Sequence, residues 1–485
     1  MVKSFFKWLG VGLASLCIVA ILVALVRLSF YEQLENNIHL AEKKDYLKKI
    51  AQKVSVSDSK GYPNVVLILF DDMGYGDIGS FGNTSIATPN LDTIADQGIK
   101  LTNYYSPSPV CTPSRAAMLT GRYAPRAGLP NLIMPSEHLM TSIQKISGDN
   151  VRLPADEITI AETLQAVGYR TGMVGKWHLG DHSPSLPNDF GFDYFFGAHY
   201  SNDMAPFSIY RNRNIVDKHP IDQTTLTSRF TEEAVNFIEK NKDEPFFLYM
   251  PHNFPHVPLS SSGEQKGKSL GGLYGDVVED LDNSVATVIH ALKANKLDDN
   301  TLVIITSDNG PWWEGGSGGF RSRKGDTFEG GMRVPFIVWW PGTIDGRQEI
   351  DGMASGIDLF PTILDILDLP QPSDRSIDGL SIKNMLLDNG KTPHKSLYYY
   401  TDEDLFAVRT ERFKYHVRRP IVHTAAWQVP FAVAMNQGPW LFDLDRDKDE
   451  SYNVSEKYPE QVRRLQNLMD QRNLEMSENP RGWLH

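Results

Sequence analysis

The chain has 485 residues, 41% of them hydrophobic and 22% charged, which excludes a disordered or fibrous protein and leaves room for one large domain and a smaller one. Its 60 acidic and 48 basic residues give a net charge of −12. That excludes a general nucleic-acid binder, whose affinity comes from basic surface displacing phosphate counterions. Cys17 and Cys111 are the only cysteines, so no disulfide framework holds the fold.

From the N-terminus, Trp8 to Val26 runs without a charge between Lys3 and Lys7 on one side and Arg27 on the other. At about 1.5 Å per residue such a helix nearly spans the ~30 Å hydrocarbon core of a bilayer. The run is longer than the apolar region of a cleaved signal and no convincing cleavage site follows it, so residues 1–28 read as a cytoplasmic tip and signal anchor, with a removed signal as the alternative. The lysines ahead of the run place the body on the extracytoplasmic side, periplasmic or extracellular. Residues 29–61, rich in Lys and Glu, read as a polar stalk that holds the body off the membrane.

The body, 62–378, alternates short apolar runs with helical stretches. Val65–Phe70, Arg170–Val174, Phe246–Met250, Thr301–Thr306 and Pro335–Trp340 have strand composition. Asn90–Gln97, Ile160–Val167, Ser228–Glu239 and Leu273–Lys293 have helical spacing. Strands apolar on both faces and alternating with helices predict an α/β fold, a large, mostly parallel sheet sandwiched by helices. Residues 379–485 change character: Ser396–Tyr400, Leu405–Arg409, Phe413–Val417 and Trp440–Asp443 predict an antiparallel sheet, and Pro459–Glu475 an amphipathic helix. This reads as a smaller C-terminal subdomain.

Two predicted strands end in acidic clusters, Asp71-Asp72 and Asp308-Asn309, at the carboxyl ends where open α/β sheets gather reactive groups. Three carboxylates and an amide oxygen suit Ca²⁺ or Mg²⁺, although an acidic pair at a strand end also serves as a cap. Cys111 precedes Pro113, a residue suited to the first turn of a helix, and Arg115 follows within a turn. A thiol there is either a low-pKa nucleophile or a buried structural cysteine.

The segment Cys111-Thr-Pro-Ser-Arg115, followed by an apolar stretch and Thr120-Gly121, resembles the signature of the type I sulfatases, formylglycine-dependent members of the alkaline phosphatase superfamily. Four further stretches match in family order: 64–72, Gly168 to Leu179, Ser307 to Gly310, and Arg323 to Gly331. The spacing most resembles the arylsulfatase A and N-acetylgalactosamine-6-sulfatase branch. The resemblance implies an alkaline-phosphatase-like fold and hydrolysis of sulfate monoesters, with Cys111 converted by a maturase to Cα-formylglycine (3-oxoalanine). It implies one divalent cation, calcium or else magnesium, on Asp71, Asp72, Asp308, Asn309 and an oxygen of the modified Cys111.

The same resemblance assigns Arg115 and Lys176 to the hydrate and the sulfate, His178 to the base and Ser201 to sulfate binding. His256 and Lys324 fall at the leaving oxygen, with His252 nearby. Lys176 and His178, two apart, would point the same way on an extended segment. Trp312, Trp313, Trp427, Trp440 and the 423–440 segment are candidates for an aromatic rim, or for core packing. Arg211, Arg213, Lys218 and His219 would contact a polyanion, or form a solvated loop. Two other functions fit the motifs: phosphonate or phosphodiester hydrolysis, and non-catalytic binding of sulfated glycans. The second would require a lost nucleophile or ligand, and every matched position is present.

Overall fold

The computed structural model describes residues 19–31, 37–53, 61–418 and 438–484. Its strands in chain order begin with β1 (Asn64–Phe70), β2 (Ile99–Leu101), β3 (Tyr104–Tyr105), β4 (Arg170–Lys176), β5 (Tyr194–Ala198), β6 (Ile209–Arg211), β7 (Asn214–Asp217) and β8 (Phe246–Pro251). They continue with β9 (Thr301–Ser307), β10 (Phe336–Trp339), β11 (Gln348–Ile350), β12 (Ala354–Ser355), β13 (Leu397–Thr401), β14 (Asp404–Arg409), β15 (Phe413–His416) and β16 (Trp440–Asp443). The large sheet has ten strands in the order β11-β2-β10-β9-β1-β8-β4-β5-β6-β7.

The alternation of side chains across the pleat places this sheet at the centre. Val65, Leu67 and Leu69 of β1 enter one apolar cluster, while Val66, Ile68 and Phe70 enter another on the opposite face. The first face is covered by α1 (Asn37–Lys53), α3 (Cys111–Thr120), α4 (Ile160–Ala166) and α7 (Leu359–Ile366). The second is covered by α2 (Pro89–Asp96), α5 (Leu226–Asn241) and α6 (Gly272–Ala294). Burial on both faces is why these strands read as nearly continuous apolar runs.

The sheet is mixed rather than mostly parallel. The central run β9-β1-β8-β4-β5 is parallel, but β10 runs antiparallel to β9 and β2, and β5-β6-β7 are antiparallel. Helical crossovers impose the parallel pairings, and the short turn at Asn212-Arg213 imposes an antiparallel one. The edge strands are short and carry no apolar run, so the sequence pattern did not mark them.

The C-terminal sheet is antiparallel, β13-β14-β15-β16, and α8 (Pro459–Glu478) packs Leu465 and Met469 against its Val408, Tyr415 and Leu441. Buried charges join it to the body. Lys414 Nζ lies 3.0 Å from Glu329 and 3.3 Å from Glu450, while Glu450 accepts from the Glu329 amide.

The stalk expectation is overturned for residues 37–53. Helix α1 lies against the body because its polar residues find partners there. His39 stacks on Trp483 with ring centroids 3.8 Å apart, and Lys43 Nζ pairs with Glu162 at 2.5 Å and donates to the carbonyls of Ala155 and Glu157. Ile50 is fully buried beneath it. Of the apolar run 8–26, residues 8–18, Cys17 included, lie outside the described residues. Residues 19–29 are helical, with Val19, Leu22 and Val26 exposed. Among the described residues no helix is long and apolar enough to cross a membrane.

Replacing one member of a buried ion pair leaves the other charge unpaired in a medium that solvates it poorly. Lys43→Met is therefore expected to lower unfolding stability by about 3 kcal/mol in urea titrations, and Lys43→Met with Glu162→Gln to recover much of that loss. An unchanged midpoint for the single variant would mean that α1 is not part of the folded unit.

Candidate active site

The five central parallel strands converge at their carboxyl ends. β1 runs into Asp71-Asp72, β9 into Asp308-Asn309, β4 ends on Lys176, β8 leads to His252 and His256, and β5 leads to Ser201. Cross-links fix the ends relative to one another. The His252 amide donates to Leu69 O, the Asp71 amide to Phe254 O, and the Asp308 amide to Phe70 O. Helix α3 starts beside them, with Cys111 as its first residue and Val110 as the N-cap. The Ser114 hydroxyl donates to Asp308 O at 2.5 Å, fastening the helix to the end of β9. This tie was not read from the sequence, although Ser114 lies inside the Cys-x-Pro-Ser-Arg motif.

The groups meet in a buried cluster. Cys111 Sγ lies 3.3 Å from Asp71 Oδ1 and 3.8 Å from Asp72 Oδ1. Lys324 Nζ lies 3.2 Å from Cys111 Sγ and 2.7 Å from Asp72 Oδ1. Lys176 Nζ bridges Asp71 Oδ2 and the Ser201 hydroxyl, each at 2.5 Å. Arg115 donates from Nε to Asp308 Oδ2 at 2.9 Å and from Nη1 to Lys176 O at 2.7 Å, and its Nη2 lies 3.6 Å from Asp71. Its guanidinium is thus paired with two carboxylates and a carbonyl. The loop carrying Lys324 is held by Lys324 N to Pro311 O and Gly325 N to Pro109 O, the latter two residues before Cys111.

Burial decides much of the electrostatics. It pushes the Cys111 thiol well above its usual range, and Asp71 adds to this against the pull of Lys176 and Lys324. The low-pKa thiolate is therefore not what this pocket favours, despite the helix N-terminus. Burial would also raise Asp71, yet Lys176, His256, Arg115 and Lys324 hold its carboxyl well below the usual range. Burial lifts Asp308 to about 6 even with Arg115 beside it. It works against the Lys324 ammonium, but Asp72, Cys111, Asp71 and Asp308 keep that group protonated well beyond a normal lysine.

The histidines have defined tautomers. His178 Nε2 lies 3.0 Å from Ile133 O, and a carbonyl only accepts, so Nε2 carries the proton. Its Nδ1 is buried without a hydrogen-bond partner among the described residues. Burial, then Lys176 and Arg115, hold the ring well below the usual histidine range, leaving Nδ1 an available base. The extended geometry expected from Lys176 to His178 is not present: β4 ends at Lys176, and His178 sits at φ 62°. His256 Nδ1 faces Val257 O at 2.5 Å, which turns Nε2 toward Asp72 Oδ2 at 3.7 Å. His252 is buried against Phe70, with both ring nitrogens unpartnered among the described residues and its pKa pushed down by burial to about 3. It stands outside the cluster.

The donor set fits a hard divalent cation. Asp71, Asp72, Cys111 and His256 each place a ligand atom within 4.8 Å of the others. Asn309 Oδ1 is buried with no hydrogen-bond partner among the described residues, while its Nδ2 donates to Asp72 Oδ1 at 2.8 Å. An orphaned amide oxygen beside three buried carboxylates suits oxygen-seeking calcium or magnesium.

Other sequence candidates fall outside the cluster. Trp313 is exposed under Arg323, and Trp440 packs against Phe328. Trp427 and residues 423–437 lie outside the described residues. Arg211 pairs with Glu233 and Arg213 with Asp189, in keeping with a solvated loop.

The sulfatase family model matches residues 63–369, and that for the C-terminal region of aryl-sulfatase matches 392–482. Human N-acetylgalactosamine-6-sulfatase is 34% identical over 452 residues, covering 84% of this chain and 85% of that protein. Human arylsulfatase A is 36% identical over 436 residues, covering 81% and 83%. The crystal structure of the PsFucS1 sulfatase from Pseudoalteromonas sp. superposes with a TM-score of 0.76 at 28% identity, over 92% of this chain and 96% of that one. A match spanning both the sheet that carries the cluster and the C-terminal subdomain beside it means that the chain belongs to the sulfatase family, the hydrolases of sulfuric esters.

Proposed function

We propose that the substrate is a sulfated carbohydrate and that residue 111 acts after oxidation to Cα-formylglycine by a maturase of the host. The observation that carries this is the position of Cys111, the first residue of α3, packed between Asp71 and Lys324 with its thiol held protonated by burial. Oxidised to the aldehyde and hydrated by a water molecule, residue 111 would supply a geminal diol: one hydroxyl oxygen bonds sulfur as the bond from sulfur to the alcohol oxygen breaks, and loss of the other hydroxyl's proton then breaks the C–O bond to sulfate and restores the aldehyde. A serine has no second hydroxyl for that step.

Asp71, Asp72, Asp308 and Asn309 would hold one calcium or magnesium ion with an oxygen of the converted residue, and that ion would draw charge from the sulfate oxygens. Lys176 and Ser201 bind the remaining sulfate oxygens. His178 Nδ1 takes the proton from the second hydroxyl. Lys324, the protonated group at the leaving oxygen, gives its proton to the departing alkoxide and takes one back from solvent, while neutral His256 offers Nε2 as a hydrogen-bond acceptor beside it. We further propose that the charge-free run 8–26 anchors the chain in a membrane, with the body on the extracytoplasmic side.

Mass spectrometry of protein taken from the membrane fraction of its own host tests modification and anchoring together. The tryptic peptide ending at Arg115 is expected with a carbonyl oxygen in place of the thiol and one hydrogen, and residues 8–26 are expected intact. Unmodified cysteine throughout overturns the nucleophile, and a chain missing the run overturns the anchor.

Added calcium at about 100 times its Kd is expected to raise stability by about 2.7 kcal/mol, seen as a higher melting temperature. Asp308→Asn is expected to shrink that shift, and an unchanged shift would place the ion elsewhere. Lys324→Met is expected to slow hydrolysis of alkyl sulfates, whose alkoxide needs a proton, by about 10²–10⁴-fold, and activated aryl sulfates much less. Equal loss on both would assign Lys324 to binding alone.

A further inference from the structure

The helix Leu139–Ser147 carries its amphipathic pattern the wrong way round for water. Leu139 is 72% exposed, Met140 49% and Ile143 44%. At about 3.6 residues per turn these three fall within about 100° of one another, on one face. The opposite face turns polar groups inward. The buried Thr141 hydroxyl lies 3.0 Å from Met134 O and 2.8 Å from Pro135 O, and Gln144 Nε2 donates to Leu132 O at 2.8 Å. A surface helix in water does the reverse and packs its apolar stripe against the core.

We infer that this face docks on the lipid bilayer, lying shallowly in the headgroup region beside the point where the chain enters the membrane. The inference rests on the membrane-anchor reading above and extends it to the folded body.

What stands next to the face identifies its occupant. The helical residues 19–29 carry no charge before Arg27, and Val19, Ile21, Leu22, Val23, Leu25 and Val26 are all exposed. A helix that is apolar all round belongs in surroundings other than water. Its C-terminal end is fixed to the helix Leu139–Ser147 and its cap. Arg27 Nη1 donates to Ile146 O at 3.0 Å, and the Tyr31 hydroxyl donates to Asp149 O at 2.8 Å. Lys145 Nζ sits 5.8 Å from the centre of the Tyr31 ring. Basic and aromatic side chains of this kind gather at the boundary between hydrocarbon and water. A bilayer that takes the run up to Val26 therefore has its headgroups at the level of Arg27 and Tyr31, and so at the end of this helix. An isolated apolar patch fits a protein partner equally well, but one tied to the base of an anchor meets lipid first. With 9 residues the helix is too short to span the bilayer, so it lies along the surface.

The contact reaches the reacting groups through the segment that the helix holds. Ile133, whose carbonyl faces His178 Nε2 at 3.0 Å, lies between the residues that accept from Gln144 and Thr141. Docking thus sets the body, and the catalytic cluster with it, at a fixed height over the lipid.

The test uses the full chain reconstituted in vesicles of phosphatidylethanolamine and phosphatidylglycerol. Met140→Cys, in a Cys17→Ser background, carries an environment-sensitive fluorophore, and Cys111 is buried away from the reagent. Lipids with a nitroxide near the headgroup are expected to quench this label more than lipids with one at the chain end, as for a face about 5–10 Å deep. Leu139→Asp with Ile143→Asp is expected to weaken docking about a hundredfold or more, roughly tenfold for each aliphatic side chain lost from an apolar phase. Quenching is then expected to disappear, although the chain still sediments with the vesicles and keeps its melting temperature. A sedimenting chain whose label no nitroxide reaches overturns the docking face and leaves the anchor standing, as does a label shielded by a second copy of the chain. Quenching unchanged in the folded double variant overturns it as well. A chain that does not sediment with the vesicles removes the anchor, and the inference with it.

Discussion

Everything at the centre of this protein depends on keeping six charged side chains together where water does not reach. Asp71, Asp72 and Asp308 face Arg115, Lys176 and Lys324, the first five almost wholly buried and Lys324 nearly so. A single such charge in a low-dielectric interior would cost several kcal/mol, and the group survives there only because each has opposite charges and hydrogen bonds around it. Three negative and three positive groups balance. A divalent cation would leave the pocket positive, which is the state an anionic sulfate ester needs to meet. Holding that balance falls to the parallel strands at the centre of the sheet, where β1, β9 and β4 bring Asp71, Asp72, Asp308 and Lys176, while α3 brings Arg115 and the loop before β10 brings Lys324.

Two residues of the cluster take a backbone conformation that also occurs at eight other non-glycine positions among the described residues. Asp72 sits at φ 68° and His178 at φ 62°, both in the left-handed region that disfavours side chains with a Cβ. Asn309 Oδ1 and His178 Nδ1 are buried without hydrogen-bond partners among the described residues. The surrounding cross-links, such as Ser114 to Asp308 O and Asp71 N to Phe254 O, hold those conformations against relaxation.

The C-terminal sheet extends the same logic outward. Glu329, five residues beyond Lys324, is held by Lys414 and by the Tyr105 hydroxyl at 2.7 Å, while its amide is taken by Glu450. Glu450 O accepts from Arg321 at 2.7 Å. The loop carrying Lys324 is therefore gripped from the C-terminal subdomain at both ends, with Gly325 tied to the Cys111 segment in between. The smaller sheet belongs to the architecture that positions the site.

How much of this was legible in the sequence follows from how local each feature is. The strand ends at Asp71-Asp72 and Asp308-Asn309, the helix starting at Cys111 and the antiparallel run from Leu397 to Asp443 are written in adjacent residues, whose spacing and composition carry the pattern. The short strands β2, β6, β7 and β11, at and next to the edges of the sheet, were not legible, because three- and four-residue strands with mixed composition have no periodicity to detect. Nor was the docking of α1, since His39 and Lys43 read as solvent-facing until Trp483 and Glu162, distant in sequence, are brought to them.

By itself, then, the sequence marked the acidic ends of two strands and the Cys111 segment as candidates for the chemistry. Only the tertiary structure decided that Arg115 pairs with Asp308 and that His178 Nδ1 is buried without a hydrogen-bond partner among the described residues. The physical reason is that charge pairing, tautomer and desolvation depend on what lies within a few ångströms. In this fold those neighbours come from segments tens to hundreds of residues apart.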